Sequence, residues 1–188
     1  MSEPPTQKFS LTRLAVANLE TVMHWRMLPH VTQYMNTDPE LTLEGQKLWF
    51  EKLSSAGENF YWVINVEDTP CGVINFADID FENKHCTWGY YIAEKELRSL
   101  PLAIALEMSL YDYAFDTLKL NKVTGESFCL NTAAVTMHEL CGCKSDGILR
   151  QHVLKKEQFY DVCVQSMLKE EWYSLRDDFE YQHLDFSK

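Results

Sequence analysis

The chain has 188 residues, a mass of 22.0 kDa and a formal charge of −11, from 17 Lys and Arg against 28 Asp and Glu. Hydrophobic residues make up 46% and aromatic residues 13%, which excludes a disordered polymer and suffices for a real core in one domain. A pI near 4.9 excludes the basic face that non-specific nucleic-acid binding needs, but leaves room for a local basic pocket.

Residues 8–14 alternate apolar and polar and read as a half-buried strand. Asn18 suits a helix N-cap, with Leu19, Val22 and Met23 at helical spacing after it, and Pro29 interrupts that pattern. A second helix is expected from Thr42 through Trp49 to Leu53. Residues 60–66, 71–79 and 85–93 read as strands joined by turns at 68–70 and 82–84, an antiparallel meander. The period then changes. Leu102, Leu106, Leu110 and Tyr113 mark one face of a helix over 101–118, with Pro101 in its first turn. Residues 122–129 read as a strand, and 131–140 as a short helix capped by Asn131. Two last strands, near 147–154 and 159–168, flank a turn at 155–158.

Trp62, Trp88 and the other strand aromatics are expected in the core, and residues 1–7 and 176–188 as short polar ends. The sum is a single domain over 1–188 with its core at about 8–172. Its fold class is α+β: a mixed, mostly antiparallel sheet with helices on both faces. A strand running into a helix N-terminus is where an anionic ligand would bind.

Six cysteines stand at 71, 86, 129, 141, 143 and 163 without a Cys-x-x-Cys pair. With no apolar leader and no membrane-length apolar run, they read as free thiols of a cytoplasmic protein. Cys141, Cys143 and His138 could hold zinc, but the usual paired spacings are missing, so no metal is expected.

Four stretches resemble the GNAT acetyltransferase superfamily, over about residues 8–172. They are Trp25-Arg26 with Pro29-His30-Val31, then the string 72–80 with 88–92, then Asn131 and Ala134 with Glu139-Leu140 and Gly142, and finally 149–153 with 160–162 and 168–172. The last is similar to the N-acetyltransferases of pseudaminic acid synthesis, which acetylate the 4-amino group of UDP-4-amino-4,6-dideoxy-N-acetyl-β-L-altrosamine from acetyl-CoA.

That resemblance implies acetyl-CoA as co-substrate, a UDP-amino sugar as small-molecule acceptor, and neither nucleic acid nor membrane as partner; a homodimer stays open. Arg98-Ser99-Leu100-Pro101-Leu102-Ala103 matches the family's pyrophosphate loop, with Pro101 in place of a glycine and so one N–H fewer. It implies Arg98, Ser99, Leu102, Ala103 and Asn131 at the cofactor. Tyr91 and Ile92 stand on the splayed strand that gives the oxyanion donor. His138 stands where the family has a tyrosine acid, and Glu126 where a carboxylate base would serve through water. Asp78 and Asp80 are weaker candidates for base and equally good turn residues.

Arg26 suits a phosphate contact, with His30, Tyr90, Tyr34 and Trp49 around the acceptor. No cysteine has a base partner in a recognised motif, so transfer is expected to be direct, in a ternary complex. Peptide or ribosomal-protein N-termini and polyamines are alternative acceptors. A GNAT-fold binding protein without turnover is the alternative from another class.

Overall fold

The computed structural model describes residues 7–56 and 59–187. Of the polar start expected over 1–7, all but residue 7 lies outside the described residues. Among these, seven strands form one sheet: β1 (Phe9–Arg13), β2 (Phe60–Val66), β3 (Thr69–Asp80), β4 (His85–Ile92), β5 (Lys122–Phe128), β6 (Lys144–Lys155) and β7 (Gln158–Leu168). Their order is β1-β2-β3-β4-β5-β7-β6. Every neighbouring pair is antiparallel except β4 with β5. The helices are α1 (Leu19–Met27), α2 (Pro29–Thr32), α3 (Leu43–Ala56), α4 (Leu100–Asp112), α5 (Thr132–Leu140) and α6 (Lys169–Leu175). The expected mixed α+β sheet therefore forms, with α2 and α6 added.

Strand alternation sorts the apolar residues into two layers. On one face Trp62, Ile64, Ile74, Phe76 and Val123 pack against Leu102, Leu106 and Leu110 of α4. On the other, Val63 and Val73 meet Leu19, Val22 and Trp25 of α1, with Trp49 and Leu53 of α3 alongside. Leu102, Leu106 and Leu110 have no exposed surface, and burying each contributes about 1.5–3 kcal/mol.

Several boundaries differ from the sequence reading for local reasons. Pro29 ends α1 and opens α2, because Leu28 before it is extended at ψ 131° while the fixed proline φ suits a first helical turn. The hairpin after β2 turns on Glu67 and Asp68, both at positive φ (47° and 64°), not on 68–70. That is a type I′ turn, so Pro70 falls inside β3, paired with Asn65 beside a bulge whose extra residue is Cys71. Lys156 and Glu157 repeat the device between β6 and β7. The helix expected to reach 118 leaves the α form at Tyr113 and finishes as a π-turn over Tyr113–Thr117. Asn131 takes the N-cap position of α5 without the expected side-chain bond.

Two expectations are overturned. The C-terminal segment is not a loose polar end. Leu184 and Phe186 are 2% and 3% exposed, and Trp62 Nε1 donates to the Phe186 carbonyl at 3.1 Å. Gln182 both accepts from the Phe9 amide and donates to the Phe9 carbonyl, occupying the backbone of the edge strand β1. Lone apolar residues among polar ones carry no periodicity, so the sequence hides this strap.

Nor are all six cysteines free. Cys129, one residue past β5, is bonded to Cys163 on the neighbouring β7, with their Cα atoms 5.1 Å apart. Cys71, Cys86, Cys141 and Cys143 are free and buried. Denatured but unreduced protein should thus titrate four thiols, and reduced protein six; six without reductant would refute the bridge. No helix is long and apolar enough to cross a membrane.

Candidate active site

The exceptional parallel pair opens the site. β4 and β5 pair only from His85↔Lys122 to Trp88↔Gly125; beyond that, β4 continues to Ile92 and β5 to Phe128 without pairing. Gly125 sits at the fork because a Cβ there would lie 3.3 Å from the Trp88 indole. The fork widens into a cleft of about 1010 Å³. Unpaired strand backbone in such a fork offers N–H and C=O groups to an extended ligand.

At one end of the cleft stands the N-terminus of α4. Ser99 caps it, its hydroxyl accepting from the Leu102 amide at 3.3 Å, while the Ala103 amide donates to the Ser99 carbonyl. With Pro101 lacking an N–H, the first turn has fewer free donors than a glycine loop would. The Arg98 guanidinium grips the Ile92 carbonyl through Nε and Nη2, at 3.0 and 2.6 Å, and so sits at the mouth of the fork. Arg98, Ser99, Ala103, Asn131, Tyr91 and Ile92 line the cleft; Leu102 does not, being fully buried below it. An acetyl-CoA fits this end: a positive helix terminus and one arginine for the pyrophosphate, and an open strand edge for the arm.

Glu126 and His138 both line the middle of the cleft. Glu126 is exposed and forms no ion pair among the described residues, since Lys122 pairs with Asp146 and Lys144 with Glu171. His138 is 7% exposed, and its Nδ1 lies 2.9 Å from Oε1 of Glu107, a fully buried residue of α4. Its ring meets the Trp88 indole edge-on at 4.8 Å.

Glu107 also accepts from Tyr90 Oη at 3.1 Å and Tyr111 Oη at 3.0 Å. Burial and then the Glu107 charge push both phenols well above their ordinary value, so they remain donors. The sequence reading missed Glu107, although one carboxylate on an otherwise apolar helix was a usable signal.

Both tyrosines line the cleft, and strand alternation sends their side chains to opposite layers. Tyr90, expected at the acceptor, points its hydroxyl into the α4 layer. Tyr91, expected at the cofactor, packs with the α1–α3 layer, where its charged form would face Arg26.

Arg26, half-buried, donates to Thr37 Oγ1 at 3.0 Å; burial lowers its pKa, and the neighbouring Tyr91 and Asp38 oppose that. His30 lies 2.8 Å through Nε2 from the Ala93 carbonyl, tying α2 to the end of β4. Arg26, His30, Tyr34 and Trp49 line this end of the cleft. Asn75, Gln46 and Tyr61 join them and were not singled out; Asn75, polar within an apolar strand, was the legible one.

The wall carrying Met35 and Thr37 is fastened from behind. Lys155, buried at the tip of the β6–β7 hairpin, donates to the Thr32 and Met35 carbonyls and pairs with Asp38 at 3.1 Å. Asp78 and Asp80 lie outside the cleft lining, Asp80 capping its turn through Asn83. The three candidate zinc ligands make other bonds: His138 with Glu107, Cys143 with Tyr111, and Cys141 with Glu107. Burial pushes the Cys71, Cys86 and Cys143 thiols up to about 12, which leaves them poor nucleophiles.

Residues 8–144 match the acetyltransferase (GNAT) domain family. The chain belongs to this N-acetyltransferase family. Among curated relatives it is 26% identical over 130 residues to acetyltransferase PseH of Campylobacter jejuni, covering 69% of this chain and 79% of that one. It is 30% identical over 168 residues, 89% of each chain, to YdaF of Bacillus subtilis, which carries the name of a ribosomal N-acetyltransferase. Its fold matches the spermidine N-acetyltransferase of Vibrio cholerae solved with CoA and spermine, at a TM-score of 0.82 and 18% identity, over 88% of this chain and 98% of that one.

Proposed function

We propose that this GNAT enzyme transfers acetyl from acetyl-CoA to the 4-amino group of a UDP-linked amino-dideoxy sugar. The observation that carries this reading is the charge of the cleft: Glu126 is the one carboxylate in its described lining, against Arg26 and Arg98. Arg26 among Tyr34, Trp49, Tyr61 and Tyr91 suits an anionic acceptor with an aromatic base to stack. The resemblance of the C-terminal hairpin and the similarity to PseH point the same way.

A polyamine is the second reading, favoured by the net charge of −11 and by the spermidine enzyme's fold. A polycation is held by several carboxylates, however, and the described lining of the cleft supplies one.

Acetyl-CoA supplies the acetyl group as a thioester. Arg98 and the α4 N-terminus hold its pyrophosphate, and a main-chain amide of the open β4 edge faces the thioester oxygen. Glu126, exposed on the cleft wall, takes a proton from the acceptor amine through a water, which frees the lone pair for attack. His138 donates a proton to the departing sulfur. No cysteine takes part, and transfer is direct.

The test is CoA-thiol release with purified protein, acetyl-CoA and either the UDP-4-amino sugar or spermidine. Turnover on the sugar, with none above background on spermidine, is expected. Faster turnover on spermidine would overturn the choice of acceptor, and no binding of acetyl-CoA by calorimetry would overturn the transferase.

A further inference from the structure

We infer that Glu107 is a positioning residue that sets the tautomer of His138, so that Nε2 is the nitrogen presented to the cleft. This rests on the reading of His138 as the acid. The geometry is specific. Glu107 has no exposed surface, and its one ion-pair partner among the described residues is His138. As a carboxylate it can only accept, and it takes His138 Nδ1 and Tyr90 on Oε1 and Tyr111 on Oε2. The proton between Glu107 and Nδ1 therefore belongs to the ring.

Among the described residues His138 Nε2 makes no hydrogen bond, and the ring lines the cleft. A buried carboxylate is costly unless donors answer it, and the ring Nδ1–H joins the two phenols in doing so. The remaining titratable groups around the ring do not compete. Tyr90 on β4, Tyr111 on α4, and Cys141 and Cys143 beyond α5 are all raised by burial and stay neutral. Glu126 stands across the cleft, on the opposite strand face.

In the reaction the proton leaves Nε2. As the acetyl C–S bond breaks, its electron pair stays on sulfur and the Nε2 proton joins it, giving a thiol and a neutral ring that keeps its Nδ1 proton. The proton taken from the amine through Glu126 balances the one delivered, and solvent returns it to Nε2. A phenol has a single O–H to present, whereas an imidazole must be held to one tautomer by an acceptor at its other nitrogen; Glu107 supplies it.

The direct test is ¹⁵N NMR of the histidine rings in the free protein, with and without E107Q, followed by kcat and KM. In the wild type the neutral His138 ring should carry its proton on Nδ1. In E107Q the amide can turn its own N–H toward Nδ1, so a measurable fraction of the ring should carry the proton on Nε2. The variant's kcat should fall, with KM for acetyl-CoA unchanged. In an H138F background, E107Q should have no further effect on kcat.

An Nε2–H tautomer in the wild type, an unchanged tautomer in E107Q, or an additive E107Q effect in H138F would overturn the inference. If E107Q does not fold, the wild-type tautomer alone decides. Failure of every acceptor, with the tautomers as stated, would instead sink the functional reading and leave the pair standing.

Discussion

Glu126→Gln should lower kcat by about 10²–10⁴-fold, the usual contribution of a positioned base, and leave acetyl-CoA affinity unchanged. The side chain is exposed and carries no ion pair, so its amide isostere costs the fold within about 0.5 kcal/mol. A loss of rate in this variant is thus a loss of chemistry. Steady-state kinetics over a range of acceptor, with calorimetry for acetyl-CoA, separates the two quantities. An unchanged kcat would move the base elsewhere, and a lost acetyl-CoA affinity would make Glu126 a binding residue.

Trp62→Ala should cost about 3–5 kcal/mol of stability, the range for deleting a buried large aromatic. Trp62 has no exposed surface and contacts Phe60, Phe76, Tyr113 and Phe186 edge-on at 4.9–6.2 Å. Its removal would open a cavity and strand the Phe186 carbonyl that its N–H satisfies. The tail strap and α4 would loosen together. Trp62→Phe keeps the ring packing and loses the N–H, so about 1 kcal/mol is expected. Thermal or urea unfolding checks both; equal losses would mean that the hydrogen bond, not the packing, holds the strap.

The sequence reading held wherever one period ran for long enough. β2 falls on its expected residues, and α5 and β5 end within one residue of theirs, because their apolar spacing meets no competing turn chemistry. It slipped by one residue where Glu67 and Asp68 at positive φ closed a hairpin without glycine, and held at the turn over 155–158, where Lys156 and Glu157 do the same. The lining of the cleft was legible in kind, since a strand fork and a helix terminus follow from the order of elements. Which way each residue faces was not: shifting attention by one position exchanges Tyr90 and Tyr91 between layers. Glu107 and the Cys129–Cys163 bridge were hidden for another reason. Both depend on partners about 30 residues away, His138 for the carboxylate and the β7 thiol for Cys129.

Lys155 carries one more implication. The family match ends at residue 144, and the hairpin tip lies beyond it, yet that tip anchors the loop walling the acceptor end. One wall of the cleft is thereby held by a residue 120 or more positions away along the chain. Loss of the Lys155 ammonium would strand the Thr32 and Met35 carbonyls together, so the position of that wall answers to the hairpin as much as to its own helices.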